Sequence, residues 1–136
     1  ETDTINPPEW LTNIEYLNKD NNVHIENNVH QTNTDKPYSH IIYGWADEEK
    51  CSITYYLNGE YSNLSGLWTI LQDCRDTEEK SKFSIYTDGN KIYESSTITS
   101  GSTPEEFEID IDNCTKLTIT FEKGDGSAEL GNLKVW

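Results

Sequence analysis

The stretch from Cys51 to Thr69, CSITYYLNGEYSNLSGLWT, constrains the fold of this chain more than any other. Ile53, Tyr55 and Leu57 fall on one side of an extended backbone, with Ser52, Thr54 and Tyr56 on the other. Leu64, Gly66, Trp68 and Ile70 then repeat the same period. Alternation of period two marks strands with one buried face, because successive side chains point to opposite sides of a sheet. Asn58-Gly59 lies between the two runs. Asn-Gly tolerates the positive φ angles of a tight turn, so the stretch predicts an antiparallel hairpin. It contains no nucleophile, base or metal cluster and serves as scaffold.

The rest of the chain repeats this logic. A first strand is expected over Trp10–Leu17, with Leu11 and Ile14 as core contacts, and another over Tyr38–Trp45. Between them, residues 18–37 read as Asn- and Asp-rich loop with one or two short strands. Phe83 and Ile85, Asp88-Gly89-Asn90, and Ile92 with Tyr93 form a second hairpin pattern. Phe107, Ile109 and Ile111 face inward against Glu106, Glu108 and Asp110, and Leu117, Ile119 and Phe121 alternate again. Residues 122–127 are a glycine-rich acidic loop leading to a last strand at Leu130–Trp136. No stretch holds a helical period over ten or more residues. Roughly eight or nine short strands with regular turn signals imply an all-β antiparallel sandwich or barrel. The first and last strands are expected to pair, with Trp10 and Trp136 covering one end. Residues 1–9, with Pro7-Pro8, read as the end of a linker, and residues 10–136 as a single β-sandwich module.

Hydrophobic residues make up only 33 % of the chain, but 11 % aromatics and regular alternation exclude a disordered segment. The formal net charge of -15 opposes phosphate backbones and anionic lipid headgroups, so neither nucleic-acid binding nor membrane insertion is expected. No run approaches the roughly 20 apolar residues of a membrane helix. With no methionine, the sequence is expected to be a processed or excised piece of something longer, the Pro7-Pro8 linker end arriving from a preceding module. Cys51, Cys74 and Cys114 fit no zinc spacing, and an odd count precludes full intramolecular pairing. At most one bridge forms; free thiols packed as small apolar groups are the expected state.

Catalysis finds no support. His24, His30 and His40 have no nucleophile elbow nearby; His24 and His30 read as solvated loop residues and His40 as outward-facing on its strand. Two acidic groups are candidate calcium sites: Asp47, Glu48 and Glu49, and Glu122, Asp125 and Glu129. Calcium takes six to eight oxygens, yet neither group has the spacing of a helix–loop–helix calcium site. The aromatics say more. A sugar stacks its C–H face on an exposed ring and bonds its hydroxyls to carboxylates, amides or guanidinium groups. Trp68 shares a face with Leu64 and Ile70 and points inward. Trp45, where a strand enters the acidic turn, is the candidate platform, with Tyr43, Asp47, Glu48 and Arg75, the lone arginine, as companions.

One set of residues resembles a known family. Tyr55, Leu57, Gly59, Tyr61, Leu64, Ser65, Gly66, Phe83, Asp88, Gly89, Ser95, Ile98 and Thr99 follow in order the pattern of the NPCBM domain, which is related to family 51 carbohydrate-binding modules. The similarity spans roughly Gly44 to Val135. Glu48 stands where the family often has histidine, and Ala128, Glu129 and Leu130 stand where it has Ala-Asp-Trp. The resemblance implies a non-catalytic β-sandwich of jelly-roll type, extracellular, secreted or cell-surface attached, that holds a parent enzyme or surface protein against a glycan or polysaccharide. Structural calcium accompanies some of its members. The rival expectation is a structural or protein-interaction domain without a sugar site.

Overall fold

The computed structural model describes residues 8–47, 49–76 and 78–136. Among them the strands are β1 (Glu9–Trp10), β2 (Tyr16–Lys19), β3 (Val23–Glu26), β4 (His30–Gln31), β5 (Pro37–Tyr38), β6 (Ile41–Ala46), β7 (Cys51–Tyr56), β8 (Asn63–Ile70), β9 (Lys82–Thr87), β10 (Asn90–Glu94), β11 (Glu105–Asp110), β12 (Lys116–Asp125) and β13 (Ala128–Val135). Helical structure there is limited to two 3-10 turns, Leu11–Asn13 and Gln72–Cys74.

The strands form two antiparallel layers. One runs β10-β9-β12-β7-β2 and the other β11-β8-β13-β6-β3. At one end β12 crosses over to pair with β6, Gly124 opposite Ala46 and Asp125 opposite Trp45. The alternating apolar residues meet between the layers. Ile53, Tyr55 and Leu57 from one side, and Leu64, Trp68 and Ile70 from the other, are all buried. Each such side chain contributes about 1.5–3 kcal/mol of burial. The β1–β13 pairing joins the first and last strands, with Trp10 opposite Lys134.

The alternation over residues 51–70 is as expected, but the hairpin is not formed. β7 pairs with β12 and β2, and β8 with β11 and β13. The Asn58-Gly59 turn does exist: both residues have positive φ (54° and 74°), and Glu60 N–H donates to the Leu57 carbonyl at 3.1 Å. It carries the chain from one layer to the other. Asp112-Asn113, also at positive φ, does the same between β11 and β12, and the two turns are tied by Gly59 N–H to the Cys114 carbonyl at 3.0 Å. The physical reason is loop length. A paired hairpin of this turn type has a two-residue loop, whereas residues 57–62 separate β7 from β8. The hairpin at Asp88-Gly89 is formed, β9 against β10.

Three other boundaries differ. The strand expected over Trp10–Leu17 is split by the first 3-10 turn, which sinks Leu11 into the core. The strand expected over Tyr38–Trp45 is interrupted at His40, which has φ 54°. The acidic loop at 122–127 is shorter than expected, since β12 continues to Asp125. All three cysteines are free, with Cys51 and Cys114 buried.

Candidate functional site

From Ile42 onward β6 alternates, with Ile42, Gly44 and Ala46 turned inward and Tyr43 and Trp45 outward. Gly44 is required on the inward side, because a Cβ there would lie 2.6 Å from Phe121 and 2.8 Å from the Cys51 sulfur. Trp45 is 52 % exposed. Its backbone is fixed on both sides: its N–H donates to the Asn22 carbonyl at 3.0 Å, and the Asn22 side-chain amide reaches the Trp45 carbonyl at 3.4 Å.

β3 is the edge strand beside it and places His24 opposite Tyr43. The two rings stack, centroids 5.1 Å apart. A groove of about 400 Å³ opens here, lined by Asn22, His24, Trp45, Asp47 and Glu49. One aromatic face, one amide, one imidazole and two carboxylates thus line the groove. The lining contains no lysine or arginine. A second depression, on the outer face of β8, β11 and β13, is lined by Ser65, Leu67, Glu106, Glu108 and Lys134 among others, and its aromatic, Phe107, is buried.

The structure therefore brings together Trp45 and Asp47, with Tyr43 behind His24. Glu48 lies outside the described residues. Arg75 is turned away from the groove: its guanidinium pairs with Asp35 at 2.7 Å and donates to the Gln72 carbonyl at 3.2 Å. Asn22 and His24 were not legible as site residues, although their period-two spacing places both on the face that Trp45 shares.

The acids Glu122, Asp125 and Glu129 do not gather. Glu122 pairs with Lys50 at 2.8 Å, which with Ser84 and Lys91 lowers its carboxyl below the ordinary range despite the opposing effect of burial. Asp125 accepts from Ser127 N–H at 3.0 Å. Glu129 is 2 % exposed on the outer face of β13, and its Oε1 accepts from Tyr38 Oη at 2.6 Å and His30 Nδ1 at 2.8 Å. Among the described residues no group of three or more His, Cys, Asp or Glu side chains is arranged to hold a metal ion. The calcium expected from these three acids does not fit their placement. His30, expected in solvent, is instead half-buried between the Glu129 and Glu26 carboxylates.

The fold defines the class: an antiparallel β-sandwich domain. The chain belongs to the NPCBM/NEW2 domain family, whose model matches residues 9–136. Solved structures agree on the fold. The CBM51 module of Clostridium perfringens GH95, in complex with methyl-galactose, superposes with a TM-score of 0.76 at 17 % identity, covering 96 % of this chain and 100 % of that one. The CBM51-2 and INT domains of Clostridium perfringens ZmpB, in complex with GlcNAc, give 0.75 at 14 % identity over 95 % of this chain and 31 % of that one. The tandem CBM51 modules of a family 98 glycoside hydrolase from Streptococcus pneumoniae give 0.74 at 16 % identity, over 95 % and 47 %. No curated protein sequence matches the chain.

Proposed function

We propose that this module binds a neutral sugar residue in the Trp45 groove and thereby holds a larger exported protein against a glycan. The observation that carries the proposal is the half-exposed Trp45 ring beside Asn22, His24, Asp47 and Glu49. The ring supplies an apolar platform, and the amide, imidazole and carboxylates supply the hydroxyl partners that orient a sugar. Methyl-galactose and GlcNAc, the sugars held by two structural neighbours, are both uncharged. The neighbours occur as modules of larger chains, which supports attachment to a parent enzyme or surface protein outside the cell. The module itself acts without catalysis, in keeping with its family. A groove this small and open has little area to bury, so single-site affinity is weak.

The test is a glycan array followed by calorimetric titration of each hit with the wild type and with Trp45→Ala. Loss of the platform is expected to weaken binding about tenfold or more, in line with the roughly 1.5–3 kcal/mol of one buried large side chain. Melting should be unchanged, because Trp45 stands outside the core. A hit bound equally well by Trp45→Ala removes the groove from consideration. A folded wild type silent on all neutral glycans favours the interaction-domain alternative.

A further inference from the structure

Between β3 and β6 the chain leaves the sheet, crosses its outer face as the β4–β5 hairpin and returns, so that residues 27–38 form a strap. At its turn the strap is held by backbone and amide contacts and by the exposed Asp35–Arg75 ion pair at 2.7 Å. Asn33 N–H donates to the Ile70 carbonyl at 2.9 Å, and the Asn33 side chain donates to the carbonyls of Ser100 and Ser102 at 3.0 and 2.8 Å.

At its base the fastening is ionic. His30 presents Nδ1 to buried Glu129 and Nε2 to Glu26, while Tyr38 lies over Gly131 and donates to the same Glu129 oxygen. The titratable groups facing this cluster are Glu26 from β3, Tyr43 from β6, Glu129 from β13, Tyr38 from β5, and Cys74 from the second 3-10 turn, with Asp73 and Asp125 acting on Cys74. Of these groups and His30, only His30 can carry a positive charge. An imidazole that meets a carboxylate at both nitrogens must donate from both, and only the protonated ring has two N–H groups. The neutral ring would set a lone pair against a carboxylate oxygen.

We propose that residues 27–38 are a pH-responsive strap, latched to β13 by protonated His30 clamped between Glu26 and Glu129, and loosened as pH rises. Burial pulls the His30 imidazole down, but Glu129 and then Glu26 outweigh it and hold the group above its ordinary 6.5. Burial also raises the Glu129 carboxyl, against the pull of Tyr38 and His30. A folded value above the unfolded one contributes stability that is complete below pH 6.5 and disappears as pH climbs through the folded value. The clamp is made while Glu129 is ionised and His30 protonated, and it is loss of the His30 proton that opens it. The inference does not depend on sugar binding.

The experiment is amide exchange of Asn33, normalised to Ile119 in the β12 ladder and corrected for intrinsic rates, between about pH 5.5 and pH 9. Strap opening is expected to rise about tenfold per unit by which His30 is raised, while Ile119 stays protected. In His30→Gln the pH dependence should vanish. Asn33 protection that is flat in the wild type, or that falls equally in His30→Gln, overturns the latch. Should His30→Gln not fold, the wild-type imidazole titration decides: a midpoint above 6.5, with both nitrogens protonated below it, supports the clamp, and one at or below 6.5 overturns it.

Discussion

The indole of Trp45 lies against Gly126, where a Cβ would sit 2.5 Å from the ring nitrogen. The contact follows from strand pairing, since Trp45 is opposite Asp125 and the chain turns under the ring at the next residue. The pitch of the Trp45 ring is therefore set by a glycine in the turn between β12 and β13.

Gly126→Ala is expected to weaken both the fold and the site. Gly126 has φ of +88°, a conformation that costs a residue with a Cβ about 1–2 kcal/mol. The added methyl group also pushes the indole outward. Thermal melting should fall by the backbone cost, and sugar affinity should fall with it while Trp45 fluorescence shifts. A variant that melts lower yet binds as well as the wild type would show that the platform does not need this support.

Charge sets the second prediction. Asp47 and Glu49 line the groove of a chain with net charge -15. A sialylated, sulfated or uronate form of any neutral hit should bind more weakly at low salt. The gap should narrow as salt rises, because the screening length shortens from about 30 Å at 0.01 M to about 8 Å at 0.15 M. The Asp47→Asn, Glu49→Gln double variant should narrow it at low salt as well. Equal affinity of the wild type for neutral and anionic forms would place the binding surface elsewhere.

The thiols provide the third. Burial pushes Cys51 and Cys114 up to about 11, with small additions from nearby aspartates. Cys74 is partly accessible and is raised first by burial and then by Asp125, Glu129 and Asp73. Because the thiolate is the reactive form, native alkylation should mark Cys74 first and slowly, with Cys51 and Cys114 modified only on unfolding. Mass mapping after a timed pulse of iodoacetamide checks the order. Early labelling of Cys51 would contradict the packing of Gly44 against its sulfur.

Alternation determined which residues of 51–57 and 64–70 face the core, and every one of those inward positions is buried, because side-chain direction along a strand depends only on local backbone geometry. The turn at Asn58-Gly59 was legible for the same reason: its positive φ angles belong to the two residues themselves. The choice of partner strand was not. β7 joins β12, whose partner residues lie 60 to 70 positions on, and β8 joins β11, 37 to 47 positions on, and only the packing of two layers selects them. Trp45 was readable as exposed, since its inward neighbours Gly44 and Ala46 are small and it shares the outward parity of Tyr43. Arg75 pairs with Asp35 away from the groove, while Asn22 and His24 line it, because an edge strand beside β6 decides who stands next to the ring. Glu129 shows the limit most clearly: its sequence neighbourhood reads as an acidic loop, yet a strap from ninety-nine residues earlier covers it and gives it His30 as a partner. Local rules determined the strands, their faces and their turns; tertiary packing alone decided which strands pair and which charges are buried together, because both depend on chain segments that sequence distance does not connect.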